Sequence, residues 1–344
     1  MARRPTISDI SRDAGVSKRT VSRVINNSPL VSERTRQRVL ASIRRLNYQP
    51  NIVARSLAGG RNRILGVFVY ERSFPLEPPD FYYPFLMGIQ AEAMAQDYNL
   101  LLYVRHHRPG ATPTVYPDGS NVLQTADGSV ILGAHTDREE LKRLKQEGYP
   151  FVYVGRRDID DCLIDYVTAD YATTTAEAVE LLHDWGHERI AFVVQDPFIE
   201  PAQERLRGFL CGLRSHGLEE RWVFRRTAIE QVGFAEWLKE LRAEGVTGVV
   251  TSDASLALNV LRATATIGVR VPVDLSLIAL ADPIDSGFRD FPPLTYLAVP
   301  RREMGRMAVR LLVSRLEPGK DVGTIQRIIP CRLVAGDTVA RRQR

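Results

Sequence analysis

The chain has 344 residues, 44% of them hydrophobic, and a formal net charge of +5 from 46 Lys and Arg against 41 Asp and Glu, enough apolar length for two or three domains. No apolar run approaches the roughly 20 residues of a membrane span, no apolar segment follows the charged N-terminus as in a secretory signal, and Cys162, Cys211 and Cys331 are too few and scattered for a disulfide framework; the expectation is a cytoplasmic protein with buried thiols. The charge is uneven: residues 1–63 hold 14 basic and three acidic side chains, a net +11, and the remaining 281 residues net −6, as in a nucleic-acid-binding head on a separate body.

The head predicts three short helices. Thr6 with Asp9 three residues on forms a capping box that starts the first, and Ile7, Ile10 and Ala14 supply its apolar stripe. Gly15 tolerates the positive φ of a tight turn. Ser17 caps the second helix, which buries Val21, Val24 and Ile25 and keeps Lys18, Arg19, Ser22 and Arg23 on other faces. Two short helices around a glycine turn make a helix-turn-helix unit. Ser32 caps a third helix, with Val39, Leu40, Ile43 and Leu46 on its apolar face. Beyond Pro50, residues 52–58 have the length of two helical turns and end at Gly59-Gly60. A helix that short is marginal alone in water, so it is expected to fold on a partner.

The residues T-I-x-D-I-x-x-x-A-G-V-S-x-x-T-V-S-R-V-I-N, V-S-x-x-T-R-x-R-V and L-N-Y-x-P-N-x-V-A-R-S-L, unbroken from Thr6 to Leu57, resemble the DNA-binding head and hinge of the LacI/GalR family of bacterial transcription regulators. The resemblance implies that Lys18, Arg19 and Arg23 read bases in the major groove. All three are donors, which suit the O6/N7 acceptors of guanine. It implies phosphate contacts from Thr6, Ser17, Thr20, Ser22, Asn26 and Arg34, which position the protein without reading sequence. It makes Leu57 a minor-groove wedge, with Asn51, Ala54 and Arg55 on the same hinge.

From Ile64 the pattern alternates. Strands are predicted at 64–70, 100–104, 129–132, 151–154, 166–168, 190–194, 249–251 and 275–280. Helices are predicted at 85–96, 138–147, 171–185, 203–216, 234–244 and 256–267. Such alternation predicts parallel sheets, and the number of strands favours two α/β lobes. A-D-G-S-V-I-L (126–132), W-G-H-E-R-I-A-F-V (185–193), R-L-R-G-F (205–209), G-V-R-V-P-V-D-L-S-L-I-A-L-A-D (268–282) and P-P-L-T (292–295) extend the resemblance to that family's sensor domain. This domain is similar to periplasmic sugar-binding proteins, with two lobes, three crossings and a cleft between. The implied organisation is a head at 1–50, a hinge helix at 51–60 and a sensor at 61–344. Lobe one would take about 61–162 and 296–323, and lobe two about 163–292 and 324–344.

Effector contacts are expected at Phe81 and Tyr82, with adjacent Tyr83 and one of the three rings packed internally. Others are expected at Asp170, Arg205, Ser252 and Asp253, although Asp253 also suits a helix cap. Where the family usually has G-(F/Y)-D-(D/N), this chain has Ala279-Leu280-Ala281-Asp282. Either Asp282 shifts into the ligand-contacting place or Ala281 replaces it. The stretches 72–79 and 197–201 are proline-bearing departures, so an adapted or less polar pocket is expected.

No G-x-G-x-x-G follows the first strand, and neither a G-x-x-x-x-G-K-(S/T) loop nor a G-x-S-x-G elbow occurs. The six histidines show no metal-ligand spacing, and His187 reads as structural. The reading is therefore a non-enzyme without metal or cofactor. It is a homodimeric regulator, expected to repress, that binds pseudopalindromic operator DNA under control of a small effector, a carbohydrate by family analogy. The alternatives are an effector-independent DNA-binding regulator and, further off, a sugar- or nucleotide-processing enzyme. The tail from Leu333 lacks leucine heptads, so no terminal coiled coil is expected.

Overall fold

The computed structural model describes residues 5–25, 30–48, 62–71, 79–103, 113–133, 136–283, 286–317, 319 and 323–342. The chain divides into two compact units at Arg63/Ile64. Asn26 and the expected hinge helix at 51–60 lie outside the described residues.

The first unit holds three helices: α1 (Ile7–Ala14), α2 (Lys18–Ile25) and α3 (Glu33–Arg45). Each begins where the sequence places a cap. The Thr6 backbone N–H and hydroxyl both donate to Asp9, at 2.8 and 2.7 Å. Ser17 Oγ accepts from Thr20 N–H at 3.1 Å, and Ser32 Oγ accepts from Thr35 N–H at 3.4 Å. Gly15 ends α1 at φ +60°, a conformation that strains any residue with a Cβ. Ile10, Val21 and Val39, one from each helix, are fully buried at the centre, with Ala14 and Val24 beside them. Three helices this short are held by that shared cluster rather than by their own propensity.

The second unit has two six-stranded sheets. In the first, the strands run in the order Gln326–Pro330, Tyr166–Asp170, Phe151–Val154, Gly128–Leu132, Ile64–Val69, Asn99–Tyr103, and all pairs are parallel. In the second, the order is Arg332–Val334, Thr295–Ala298, Ser276–Ala279, Gly248–Thr251, Ile190–Val194, Val223–Arg225, and only the Arg332–Val334 pair is antiparallel. Val67, Val130, Val152 and Val167 of one sheet and Phe192, Val250 and Ile278 of the other are fully or almost fully buried in one continuous apolar cluster. Parallel strands are covered on both faces, which is why they read as unbroken apolar runs.

The chain passes between the lobes three times: from Asp170 into the helix Tyr171–Asp184, from Ala298 into the helix Arg301–Leu316, and from Pro330 through Cys331 to Arg332. These crossings correct the boundaries expected near 162, 296 and 323. Tyr166–Asp170 and Gln326–Pro330 belong to the first sheet, and Thr295–Ala298 belongs to the second. The physical reason is that the strands near the crossings are short, and Gln326–Pro330 is an edge strand with mostly exposed side chains, so hydrophobic pattern cannot assign them. Val223–Arg225, Arg226–Val232 and Arg301–Leu316 also lie outside the predicted set.

His187 ties the turn before Ile190–Val194 to the C-terminal segment. Ala340 O can only accept, so Nε2 donates to it at 3.0 Å and the neutral ring's Nδ1 accepts from the Thr247 hydroxyl at 2.9 Å. Burial pushes the imidazole pKa below its ordinary 6.5. The folded state therefore prefers the neutral ring. Its contribution is fully present above 6.5 and is lost as pH falls through that value toward the folded one. The midpoint of thermal unfolding is expected to drop more steeply between pH 7 and pH 5 for the wild type than for His187→Gln, which keeps one donor and one acceptor; parallel slopes would show that His187 does not carry this dependence.

Candidate functional site

In the head, the fate of the three acids decides what the surface offers. Asp9 is taken by the α1 cap and by Arg12, at 3.8 Å. Asp13 pairs with Arg45, which lowers its carboxyl pKa. Glu33 meets Arg36 at 3.7 Å and Gln37 at 2.6 Å. Arg38 is spent on the turn, donating to Ala14 O at 2.6 Å. Lys18, Arg19, Arg23 and Arg34 form no ion pair among the described residues.

Helical geometry gathers three of these cations. At about 100° per residue, Val21 and Val24 face the core and the opposite side carries Arg19, flanked by Ser22, Arg23 and Lys18. Lys18 and Arg19 are exposed and Arg23 is half-buried. The hydroxyls of Ser17 and Thr20 meet at 2.9 Å within the α2 cap, so these two expected phosphate contacts also set where α2 begins. The result is a helix N-terminus with uncompensated donors on its outward face, the arrangement that major-groove readers use.

The second site is a cleft of about 290 Å³ between the two sheets. Its lining follows one rule. Gly133, Gly155, Tyr171, Gln195, Ser252, Ala281 and Val299 all lie just past the carboxyl ends of strands, where open α/β sheets place ligands. Two helices complete it. Pro79–Ala95 brings Phe81, Tyr82 and Phe85, and Arg301–Leu316 brings Arg301 and Met304. These helices touch backbone to backbone: a Cβ on Gly88 would lie 2.0 Å from Arg302 O, and one on Gly305 2.3 Å from Phe85 O. Only glycine permits that approach, and it presses Phe81 against the Arg301 guanidinium, 4.9 Å from its ring.

Among the expected effector residues, Phe81, Tyr82, Arg205, Ser252 and Asp253 line this cleft. Tyr82 is the ring that packs internally, whereas Tyr83 is 59% exposed. Asp170 and Asp282 do not line it. Asp170 caps the following helix by accepting from Thr173 N–H at 3.0 Å, and Asp282 pairs with Arg301 at 2.5 Å, leaving Ala281 as the lining residue. Asp253 does both jobs, lining the cleft while accepting from Leu256 N–H at 3.0 Å. Arg205 stacks over the Tyr171 ring at 4.1 Å.

Ion pairs cross between the lobes beside the cleft. Glu200, at the start of Glu200–Ser215, accepts from Arg138 at 2.7 Å and from Arg157 at 2.9 Å, and both arginines come from the first-sheet lobe. Arg156 of the same lobe reaches Glu204 at 3.2 Å. Burial raises the Glu204 carboxyl pKa despite that partner. Among the described residues no group of three or more His, Cys, Asp or Glu is placed to hold a metal ion, and no helix is long and apolar enough to cross a membrane.

Residues 6–51 match the model of bacterial regulatory proteins of the lacI family, and residues 179–339 match a periplasmic binding protein-like domain. The chain is 30% identical to the HTH-type transcriptional regulator CelR of Thermobifida fusca over 98% of both chains. It belongs to the lacI family of bacterial regulatory proteins. A solved CelR–cellobiose complex matches with a TM-score of 0.64 at 27% identity, covering 97% of this chain and 100% of that one. The Lac repressor dimer bound to operator and an anti-inducer gives 0.73 at 24% identity over 98% and 100%, a likeness of fold.

Membership in the lacI family makes the chain a DNA-binding transcription regulator with a sensor domain. Two arginines of the cleft, Arg157 and Arg301, are absent from the sequence expectations. Arg157 follows the predicted strand Phe151–Val154, so the carboxyl-end rule was signal enough to find it. Arg301 follows Thr295–Ala298, which hydrophobic pattern does not reveal.

Replacing Glu200 with Ala removes the carboxylate that pairs with Arg157, whose side chain is only 3% exposed. An uncompensated buried charge costs about 3–5 kcal/mol. Urea unfolding of Glu200→Ala is expected to show a loss of that order; a loss below about 1 kcal/mol, the range of exposed pairs, would mean that the cross-lobe pairing is not structural.

Proposed function

We propose that the chain is a homodimeric repressor that reads pseudopalindromic operator DNA with α2 and releases or tightens it when a carbohydrate binds between the lobes. The observation that carries the reading is the outward face of α2. It presents Lys18, Arg19 and Arg23 without a counter-charge among the described residues, while all three acids of the head serve other partners. Each of these side chains can donate to guanine edges, and Thr6, Ser17, Thr20, Ser22, Asn26 and Arg34 would hold the phosphates. Asn51, Ala54, Arg55 and Leu57 are assigned to the minor groove, with Leu57 as the apolar wedge. Two heads related by a two-fold axis suit two half-sites.

The cleft supports effector control. It lies at strand carboxyl ends beside all three crossings: Tyr171, Val299 and Arg301 line it, and burial drives the Cys331 thiol up to about 12, with Arg205, Arg301, Asp170 and Asp282 as its charged neighbours. A ligand that binds one lobe arrangement better shifts the population toward it, and by linkage DNA must change ligand affinity by the same factor. Carbohydrate is favoured because CelR, similar along its whole length, has been solved with cellobiose. Aromatic faces and a convergent arginine suit a sugar ring. A regulator that acts by binding needs no catalytic group, which supports a non-enzyme working where the chromosome is, in the cytoplasm.

A bidentate arginine–base contact discriminates by about 1–3 kcal/mol, roughly tenfold to a hundredfold in affinity. Arg19→Ala is expected to lose that much for the selected operator and clearly less for random-sequence DNA, as read by titration of labelled duplexes. Arg12→Ala, on the capped side of α1, serves as the control and should alter neither. Equal losses on both DNAs for Arg19→Ala would reduce it to a phosphate contact.

A further inference from the structure

The cleft is rich in hydrogen-bond donors that the protein leaves unanswered. Arg301 is 5% exposed, and its Nε is buried without an acceptor, although another nitrogen of its guanidinium pairs with Asp282. Arg205 Nε is likewise buried without an acceptor, and no carboxylate pairs with Arg205 among the described residues. Both arginines line the same cleft and are charged neighbours of Tyr171 and Cys331. A buried donor left unsatisfied costs about 1–3 kcal/mol, and more for a charged group. Two such donors on arginines that line one cavity point to a missing acceptor beside them.

The carboxylates at hand are committed elsewhere. Asp253 turns its carboxylate to its own helix, accepting from Leu256 N–H at 3.0 Å, Ser255 Oγ at 2.6 Å and Ser252 Oγ at 3.1 Å. Asp196 accepts from Phe198 N–H at 2.9 Å. Glu200 answers Arg157, and Asp282 answers a single nitrogen of Arg301. Position 281, next to Asp282, is alanine. Much of the remaining wall is apolar: Phe81, Phe85, Leu132, Val154, Val299 and Met304. A neutral sugar would bring hydroxyls that donate as well as accept into a wall already short of acceptors, and it would leave the Arg205 charge without a counter-ion.

We propose that the effector is an oxyanion-bearing carbohydrate, its carboxylate or phosphate seated between Arg205 and Arg301 while its ring lies against Phe81. Guanidinium groups hold such oxyanions through paired, charge-assisted N–H donors. A cavity of about 290 Å³ is at the lower end of small-ligand sites and suits a mono- or disaccharide. The assignment rests on the cleft being the effector site and adds the charge class of what enters it.

The test is calorimetric titration of the full-length protein with matched sets: glucuronate, glucose 6-phosphate and glucose, then galacturonate, galactose 6-phosphate and galactose. In at least one set an anionic member is expected to bind about tenfold or more tighter than its neutral parent, and raised salt should weaken it. The uronate and phosphate arms tell the two oxyanions apart. Arg205→Gln, and Arg301→Lys, which keeps a cation for Asp282, should each cost that anion about tenfold. If the neutral parents bind as well as or better than the acids, with affinity still lost in Arg205→Gln, the cleft remains the effector site and the charge class is wrong. If no oxyanion-bearing member binds, the class is equally overturned. If an acid binds but neither substitution weakens it, the ligand sits elsewhere and the cleft assignment fails with it. The preference of the wild type for acid over neutral sugar stands as evidence even if Arg301→Lys does not fold.

Discussion

Where the carboxylates fall decides what each arginine of this chain can do. This is a chain with many arginines, and an arginine does different work according to what answers it. Where a carboxylate or carbonyl sits opposite, the guanidinium is structural: Arg38 holds the α1–α2 turn, Arg45 holds Asp13, and Arg157 joins the lobes through Glu200. Where nothing answers, the charge is offered outward. In the head one acid serves a cap, one a helix–helix pair and one a contact within α3, so Lys18, Arg19 and Arg23 are left on the outer faces of α2. Electrostatic attraction to a polyanion needs that surplus.

The sensor unit applies the same rule around a hinge. Its cleft lies where the chain crosses between sheets, so the cleft lining and the inter-lobe contacts share residues. Arg301 stands at one crossing, carries the Asp282 pair and touches Phe81. Glu200 and Glu204 sit on the helix that also bears Arg205. A molecule bound against Arg205 and Arg301 therefore acts on the same elements that set how the lobes meet, and sub-ångström shifts there alter packed interfaces rather than free loops. This is a physical route by which a small ligand can bias a two-state arrangement of the whole unit.

Much of this was legible in the sequence, for reasons that differ by element. Helix starts are legible because Asp9, Ser17 and Ser32 satisfy backbone donors locally, and local chemistry does not depend on the fold. The central strands were legible because burial on both faces leaves runs such as Phe151–Val154 wholly apolar. The outer and crossing strands were not. Gln326–Pro330 is mostly exposed, and Val223–Arg225 and Arg332–Val334 are three residues each, so their pairing is decided by partners distant in sequence. The site divides in the same way. Arg205, Phe81 and Tyr82, expected from family spacing, line the cleft, whereas Asp170 and Asp282 have suitable chemistry but serve a cap and an ion pair. Sequence shows which groups are able to bind, and only the fold shows which are already occupied.

If the unanswered cations of the head supply nearly all of the electrostatic part of DNA binding, the acidic body adds almost nothing to its salt dependence. The most direct measurement is the slope of log K against log salt for full-length protein on operator DNA, compared across single substitutions. Lys18→Ala and Arg34→Ala are each expected to flatten the slope by at most about one. Arg262→Ala and Arg327→Ala, which remove exposed cations of the body, should leave it unchanged. A body substitution that flattened the slope as much as a head substitution would show that the body shares in phosphate neutralisation.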